Sequence, residues 1–266
     1  MGWIYQEAGA GKAFGMYLCQ EFNRGGLVQA FSTKSAGNMA LHTGDAPQAV
    51  IKRRQAFLEC FGLTLSQMTA AQQTHGVNIQ VVDETAAGKG AQDAGDAFPD
   101  TDALLTKVPG IVLTIFTADC LPLFIYDPKT PAVGIIHAGW RGAIAGIVPR
   151  TLAKMRDVFG TDPKECRVAL GPGIGPECFQ VSAELAIRFQ ESCPASLLKS
   201  QDRFGVDLTE FNKQLLLEAG VPSQRIFPSG QCTCCRPGTF FSYRASGAAG
   251  GSGACMGRMM GLIALR

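Results

Sequence analysis

The sequence predicts a mixed α+β or layered α/β fold. Three observations point to strands and helices in layers. Short apolar, β-rich runs at 111–116, 121–126 and 132–136 have the length of buried strands. Over 142–159, Ile144, Ile147, Val148, Met155 and Phe159 recur at helical spacing. No Pro- or Ser-rich linker divides the 266 residues, so 1–266 is read as one domain with a sizeable core.

The remaining elements follow in order. Residues 27–33 have the composition of a strand, and Asp45 before Ala46-Pro47 has the form of an N-cap opening a helix that runs to Gly62. Residues 72–82 are apolar or alternating on both sides of a His75-Gly76 turn. A further helix fits 183–190, and Asp207 caps another that Gly220 and Pro222 stop. Two stretches, 84–99 and 245–253, are dominated by Ala and Gly, with Asp or Ser, and are expected to be mobile loops. No internal repeat suggests a solenoid.

Composition narrows the function classes. The formal net charge is +2 and the basic residues are dispersed, so a nucleic-acid partner is not expected. The longest apolar stretch, 111–126, is interrupted by Asp119 and Pro122 and falls short of the roughly 20 residues that span a bilayer. No basic region followed by an apolar stretch opens the chain, and Gln6 replaces the Ser or Thr of a myristoylation signal, so a cytoplasmic location and no membrane partner are expected. The ten cysteines then read as reduced thiols. A monomer acting on small ligands is the expectation.

Three distant stretches each carry a residue able to bind a transition metal: His75 in Gln73-Thr74-His75-Gly76, Cys120 in Ala118-Asp119-Cys120-Leu121, and His137 in His137-Ala138-Gly139-Trp140-Arg141-Gly142. Two imidazoles and a thiolate suit zinc, with one position left for water or substrate. Any one of them alone is better read as a core residue, but the chain has only three histidines and two sit at turns beside apolar runs. A single blue-copper site would use the same donor types. Without metal, Cys120 and His137 would make the nucleophile and base of a cysteine hydrolase. A thiol-rich metal-binding or redox-sensing module is a third reading. Each histidine needs its second nitrogen held by an acceptor, a role open to Asp102 or Asp119.

An anion site is expected at Trp140-Arg141-Gly142, where a strand gives way to a helix and Arg141 would face a phosphate. The glycine-rich loop 171–175 is a weak ligand-binding signal. Cys232-Thr233-Cys234-Cys235 fits no standard zinc-knuckle spacing and reads as incidental thiols.

Gln-Thr-His-Gly at 73–76, Thr-Ala-Asp-Cys-Leu-Pro at 117–122, His-Ala-Gly-Trp-Arg-Gly at 137–142, Gly-Pro-Gly-Ile-Gly-Pro at 171–176, Phe-Phe-Ser-Tyr-Arg at 240–244 and Gly-Arg-Met at 257–259 occur in that order. Together they resemble the laccase-domain family, once called multicopper polyphenol oxidases and now regarded as zinc-dependent purine nucleoside phosphorylases. The resemblance implies a layered α/β/β/α sandwich with mixed sheets and an active site in which His75, Cys120 and His137 are both zinc ligands and catalytic residues. It also implies phosphorolysis of adenosine, inosine and 5'-methylthioadenosine, adenosine deamination, and purine nucleosides and inorganic phosphate as partners. Copper is the lesser alternative: three histidines are too few for the mononuclear and trinuclear centres of a multicopper oxidase. The resemblance adds Arg54 as a substrate-binding residue, at the Arg of an Asn-Arg pair in which Arg53 here replaces the Asn. It also exposes a departure. Lys34 stands for a family Arg, and the loop normally preceding Asn38 is missing. A more open ribose end that accepts a 5'-methylthio group is therefore expected.

Overall fold

A computed structural model describes every residue except 1, 9–13, 23–25, 201–202 and 248–256. In chain order the first half holds β1 (Trp3–Ala8), β2 (Phe14–Cys19), β3 (Leu27–Ser32), α1 (Pro47–Glu59), β4 (Met68–Thr69), β5 (Ile79–Val81), β6 (Ala103–Thr106), β7 (Val112–Thr117), β8 (Leu121–Asp127) and β9 (Ala132–Ala138). The second half holds α2 (Trp140–Ile144), α3 (Ile147–Phe159), β10 (Arg167–Leu170), β11 (Gln180–Val181), α4 (Ala183–Ser192), β12 (Leu197–Ser200), β13 (Arg203–Val206), α5 (Leu208–Glu218), β14 (Ile226–Pro228) and β15 (Met259–Leu265). Among the described residues no helix is long and apolar enough to cross a membrane.

Two six-stranded sheets run β1-β2-β3-β15-β7-β4 and β14-β10-β8-β9-β6-β5, and a three-stranded sheet runs β11-β13-β12. Strand alternation sorts the apolar side chains into layers. Leu113 and Ile115 of β7 point into the core between the large sheets with Phe31, Phe124 and Ile135. Their neighbours Val112 and Phe116 face the other way, onto Phe57 and Leu58 of α1. In the second sheet Leu123 and Ile125 pack on Val148, Leu152 and Met155 of α3 and Leu216 of α5. The order is therefore helix, sheet, sheet, helix. Because both faces of the central strands are covered, their sequences are continuous apolar runs. Each fully buried Phe or Leu contributes about 1.5–3 kcal/mol.

Three expectations change. The helix expected over 142–159 is two helices, separated where Gly146 adopts φ 83°, and the first already begins at Trp140. Asp45 does not cap α1, whose N-cap is Ala46; its carboxylate instead accepts from Arg53 Nη1 at 2.5 Å. Segment 84–99 is pinned, not loose: Gly90 N–H donates to Asp96, Gln72 Nε2 to the Ala94 carbonyl, and Arg54 Nη1 to the carbonyls of Gly90 and Ala91. Of the other expected loop, Ala245 N–H bonds Ser242 Oγ, while 248–253 lies outside the described residues. Asp207 does cap α5, accepting from Glu210 N–H at 2.9 Å.

Candidate metal centre

The short 118–120 link carries the chain from β7 in one sheet to β8 in the other, and Cys120 ends it, directly after Asp119 at φ 89°. The β8–β9 register opposes Leu121 to Ala138 and Pro122 to His137, so the antiparallel pairing delivers His137 beside Cys120. His75 arrives from the turn before β5 at φ 64°. One ligand atom from each of the three residues lies within 4.8 Å of the others, and the two imidazole rings meet edge-on with centroids 4.7 Å apart. His75 is exposed, Cys120 half-buried and His137 buried, so the group is reachable from one side. Gly139 leaves the space they need: a Cβ there would stand 2.7 Å from His75 Cδ2 and 3.1 Å from Cys120 Sγ. Two imidazoles and a thiol in such a cradle fit a borderline-soft ion such as zinc.

Asp102, not Asp119, is the orienting carboxylate. It immediately precedes β6, which pairs with β9, and its carbonyl accepts the His137 N–H at 2.8 Å. Its Oδ1 accepts from His137 Nδ1 at 2.7 Å and from the His75 N–H at 3.0 Å. Its Oδ2 accepts the N–H groups of Gly76 at 2.7 Å and Thr74 at 3.1 Å. One buried carboxylate thus folds the His75 turn and presents Nε2 of His137 to the centre. Asp119 is committed elsewhere, accepting from Thr233 Oγ1 at 2.6 Å and Arg244 N–H at 2.8 Å. Replacing Asp102 by Asn puts an N–H2 where amides now donate and removes the charge facing His137. Asp102→Asn is expected to weaken metal binding by about 10- to 100-fold. A chelator competition titration checks this; unchanged affinity would mean that the turn holds itself.

The electrostatics suit a ligand thiolate. Burial raises the Cys120 thiol, but the charge and hydrogen bond of His137, with those of His75, outweigh it and bring the thiol down to about 6. Burial lowers His137, yet the Cys120 charge and the Asp102 hydrogen bond lift it to about 9. Burial also opposes ionisation of Asp102, and the His137 hydrogen bond and charge with the turn amides hold it down to about 2.

The centre opens into a cavity of about 530 Å³ lined by Phe116, Trp140, Ile174, Phe179, Leu208 and Tyr243 on apolar faces and by His42, Arg141, Arg244 and Arg258. Thr117 also lines it, and its buried Oγ1 has no hydrogen-bond partner among the described residues. Arg141 is exposed, and its guanidinium lies 4.4 Å above the Trp140 ring and makes no hydrogen bond or ion pair among the described residues. Arg244 is engaged, its guanidinium donating to the carbonyls of Cys178 and Gln180. Arg258 N–H is fixed by Asn38 Oδ1 at 2.9 Å. Burial, then the charges of Arg258 and Arg54, hold His42 below its ordinary value.

Arg54 does not line this cavity; it borders an adjoining one that shares His42, Gln73 and Phe116 with it. It is 1% exposed and donates to the carbonyls of Met39, Gly90 and Ala91, with its guanidinium 4.5 Å from the Phe116 ring centroid. It pins segment 84–99. Lys34 also stays outside, donating to the Pro237 carbonyl at 2.9 Å. Sequence reasoning does not single out Arg258, His42 and Thr117 as cavity-lining residues, although Arg258 and Thr117 fall within two of the quoted motifs.

A histidine pair and a cysteine gathered where strands of two packed sheets end, beneath an apolar and cationic cavity, define a small-molecule enzyme site with a metal-type donor set. The chain belongs to the family described as multi-copper polyphenol oxidoreductase laccase, which it matches over residues 20–266. It is similar to the purine nucleoside phosphorylase YlmD of Geobacillus stearothermophilus, with 34% identity over 82% of this chain and 85% of that protein. The crystal structure of YlmD from Geobacillus stearothermophilus superimposes with a TM-score of 0.88 at 32% identity, covering 98% of this chain and 100% of the other. An adenosine deaminase, RL5, from an unknown prokaryotic organism is 29% identical over 84% of this chain and 86% of its own.

Proposed function

We propose that the chain is a zinc-dependent purine nucleoside phosphorylase that acts on adenosine, inosine and 5'-methylthioadenosine and also deaminates adenosine. The observation that carries this reading is one cavity that combines the His75-Cys120-His137 set with the uncommitted guanidinium of Arg141. Relatives with these two activities in their names support it. Zinc held by the three residues would supply a Lewis acid and acidify water. The donor count argues against the copper chemistry of the family label, because a chain with three histidines cannot ligate several coppers through imidazole.

The chain's own residues account for the rest. Phe116, Phe179 and Tyr243 offer aromatic faces to a purine, and the Thr117 hydroxyl offers a hydrogen bond that no protein group takes among the described residues. Phosphorolysis joins a phosphate oxygen to the ribose C1' as the purine departs, so an anion must be held beside the sugar. Arg141 is a cation placed to hold it, by charge-assisted hydrogen bonds. Deamination needs no such anion. Arg141→Ala should therefore keep its metal and lose about 1.5–3 kcal/mol in phosphate-dependent efficiency, roughly tenfold to a hundredfold, with deamination largely spared. Equal loss of both activities would assign Arg141 to the nucleoside instead.

The direct test is incubation of zinc-loaded protein with adenosine, with and without phosphate, followed by separation of products. Adenine with ribose 1-phosphate should form only when phosphate is present, and inosine should form in either case. Absence of all three products from fully loaded protein would overturn the reading.

A further inference from the structure

A second group of sulfurs lies apart from the centre. Cys178, Cys232 and Cys235 bring their Sγ atoms within 4.8 Å of one another, and those of Cys178 and Cys235 are 3.3 Å apart. All three are free thiols. Sequence spacing does not reveal them as a set, since Cys178 comes from a segment far from 232–235.

Backbone pairing brings the two segments together. Gly173 and Cys232 form a parallel bridge, with Gly173 N–H donating to the Gln231 carbonyl at 3.3 Å and Thr233 N–H to the Gly173 carbonyl at 2.9 Å. Two backbone amides then point at one sulfur: Gly175 N–H and Cys235 N–H donate to Cys232 Sγ at 3.1 and 3.4 Å. Amide donors stabilise sulfur as a thiolate, the form that ligates metal. Tetrahedral zinc with Zn–S bonds of about 2.3 Å requires sulfurs about 3.8 Å apart, between the 3.3 Å separation of Cys178 and Cys235 and the 4.8 Å within which all three lie. Cys235 is exposed, which gives an ion access. Cys234, next to this group, also packs against the cluster containing Phe189 and Phe211.

We propose that Cys178, Cys232 and Cys235 form a second, thiolate-only site for a soft divalent ion of the zinc class, distinct from His75-Cys120-His137. An ion there would join the 175–178 turn to the 232–235 turn. Both turns support the cavity wall. Ile174 and Phe179 flank the first, and Thr233 in the second donates to Asp119 beside Cys120. The site is a brace for the pocket, and it stands whether or not the pocket turns over nucleosides.

The test uses the full-length chain, prepared anaerobically under reducing conditions and titrated with cadmium, read by thiolate-to-cadmium absorption in the ultraviolet. The Cys120→Ser chain should keep a band that saturates at one equivalent. Adding Cys178→Ser or Cys235→Ser should abolish that band. Zinc counting on otherwise unaltered protein gives an independent reading: two ions per wild-type chain and one in Cys235→Ser. Absence of the band in folded Cys120→Ser protein would overturn the proposal. So would a Cys178–Cys235 disulfide that persists under reducing conditions in place of bound metal, or unchanged zinc content in Cys235→Ser. Nucleoside turnover enters none of these readings, so the catalytic proposal and this one fail separately.

Discussion

Cys120→Ser is expected to lose the metal at the His75-Cys120-His137 centre and, with it, turnover of adenosine. Serine is nearly isosteric, and Cys120 sits in a link whose backbone is held by its neighbours: Asp119 bonds Thr233 and Arg244, and its carbonyl accepts the Ile174 N–H at 2.8 Å. The chain should therefore fold. What changes is the ligand. A thiol brought down to about 6 by its imidazole neighbours is a thiolate at neutral pH, whereas a serine hydroxyl stays protonated and is a harder donor. Two imidazoles alone hold zinc poorly. His75→Ala should have the same consequence by removing one of them, while leaving Asp102 bound to His137. Metal analysis with a product assay on matched preparations checks both variants. Full occupancy of this centre in Cys120→Ser protein would remove Cys120 from the ligand set. Wild-type protein that is metal-free, alkylated selectively at Cys120 and inactivated by that alkylation would instead favour a Cys-His nucleophile.

The parts of this site that the sequence announces are those whose local signals are strong. Strands β7, β8 and β9 are apolar runs bounded by turn residues, so composition alone locates their ends, and with them Cys120 and His137. What brings the ends together is the Leu121–Ala138 register and the crossing between sheets, and neither is a local property. The choice of Asp102 over Asp119 likewise depends on β6 lying against β9. Strand β15 lies between β3 and β7 yet has no alternation to mark it, since Met259 to Leu265 are buried on both faces.

Arg54 carries a sequence signal that a stronger-looking pattern outweighs. Lys52-Arg53-Arg54 has the look of a solvated basic run, and the family pattern points to a substrate contact. Helical spacing rules out the solvated face: Val50, Arg54, Phe57 and Leu58 fall at i, i+4, i+7 and i+8, and all four are buried in α1. The guanidinium sits on the apolar stripe and meets its hydrogen-bonding needs with three backbone carbonyls. Burial lowers its pKa to about 9, so it still carries its charge at neutral pH. Its contribution to the pocket is indirect, through Phe116, which lines the cavity.

Gly139→Ala should disable the centre without unfolding the protein. Gly139 adopts φ −69° and ψ 160°, a conformation open to any residue, so the backbone does not demand glycine there. The demand comes from the site: an added Cβ would stand 2.7 Å from His75 Cδ2 and 3.1 Å from Cys120 Sγ. His75 has little room to give way. Its turn is tied to Asp102 by the N–H groups of Thr74, His75 and Gly76, and its ring packs on that of His137. From the other side Gly142 abuts the same turn, where a Cβ would come 2.7 Å from the Gly76 carbonyl oxygen. Overpacking of this kind costs about 1–3 kcal/mol, and here the strain falls on the ligand atoms, so metal affinity should drop by about tenfold to a hundredfold. The clash is present without metal as well, so the metal-free variant should stay folded but melt at a somewhat lower temperature than metal-free wild type. Chelator competition and melting curves on wild type and variant measure the two quantities. A variant with wild-type metal affinity would mean that the His75 turn yields freely, and that Asp102 does not hold it as firmly as its hydrogen bonds indicate.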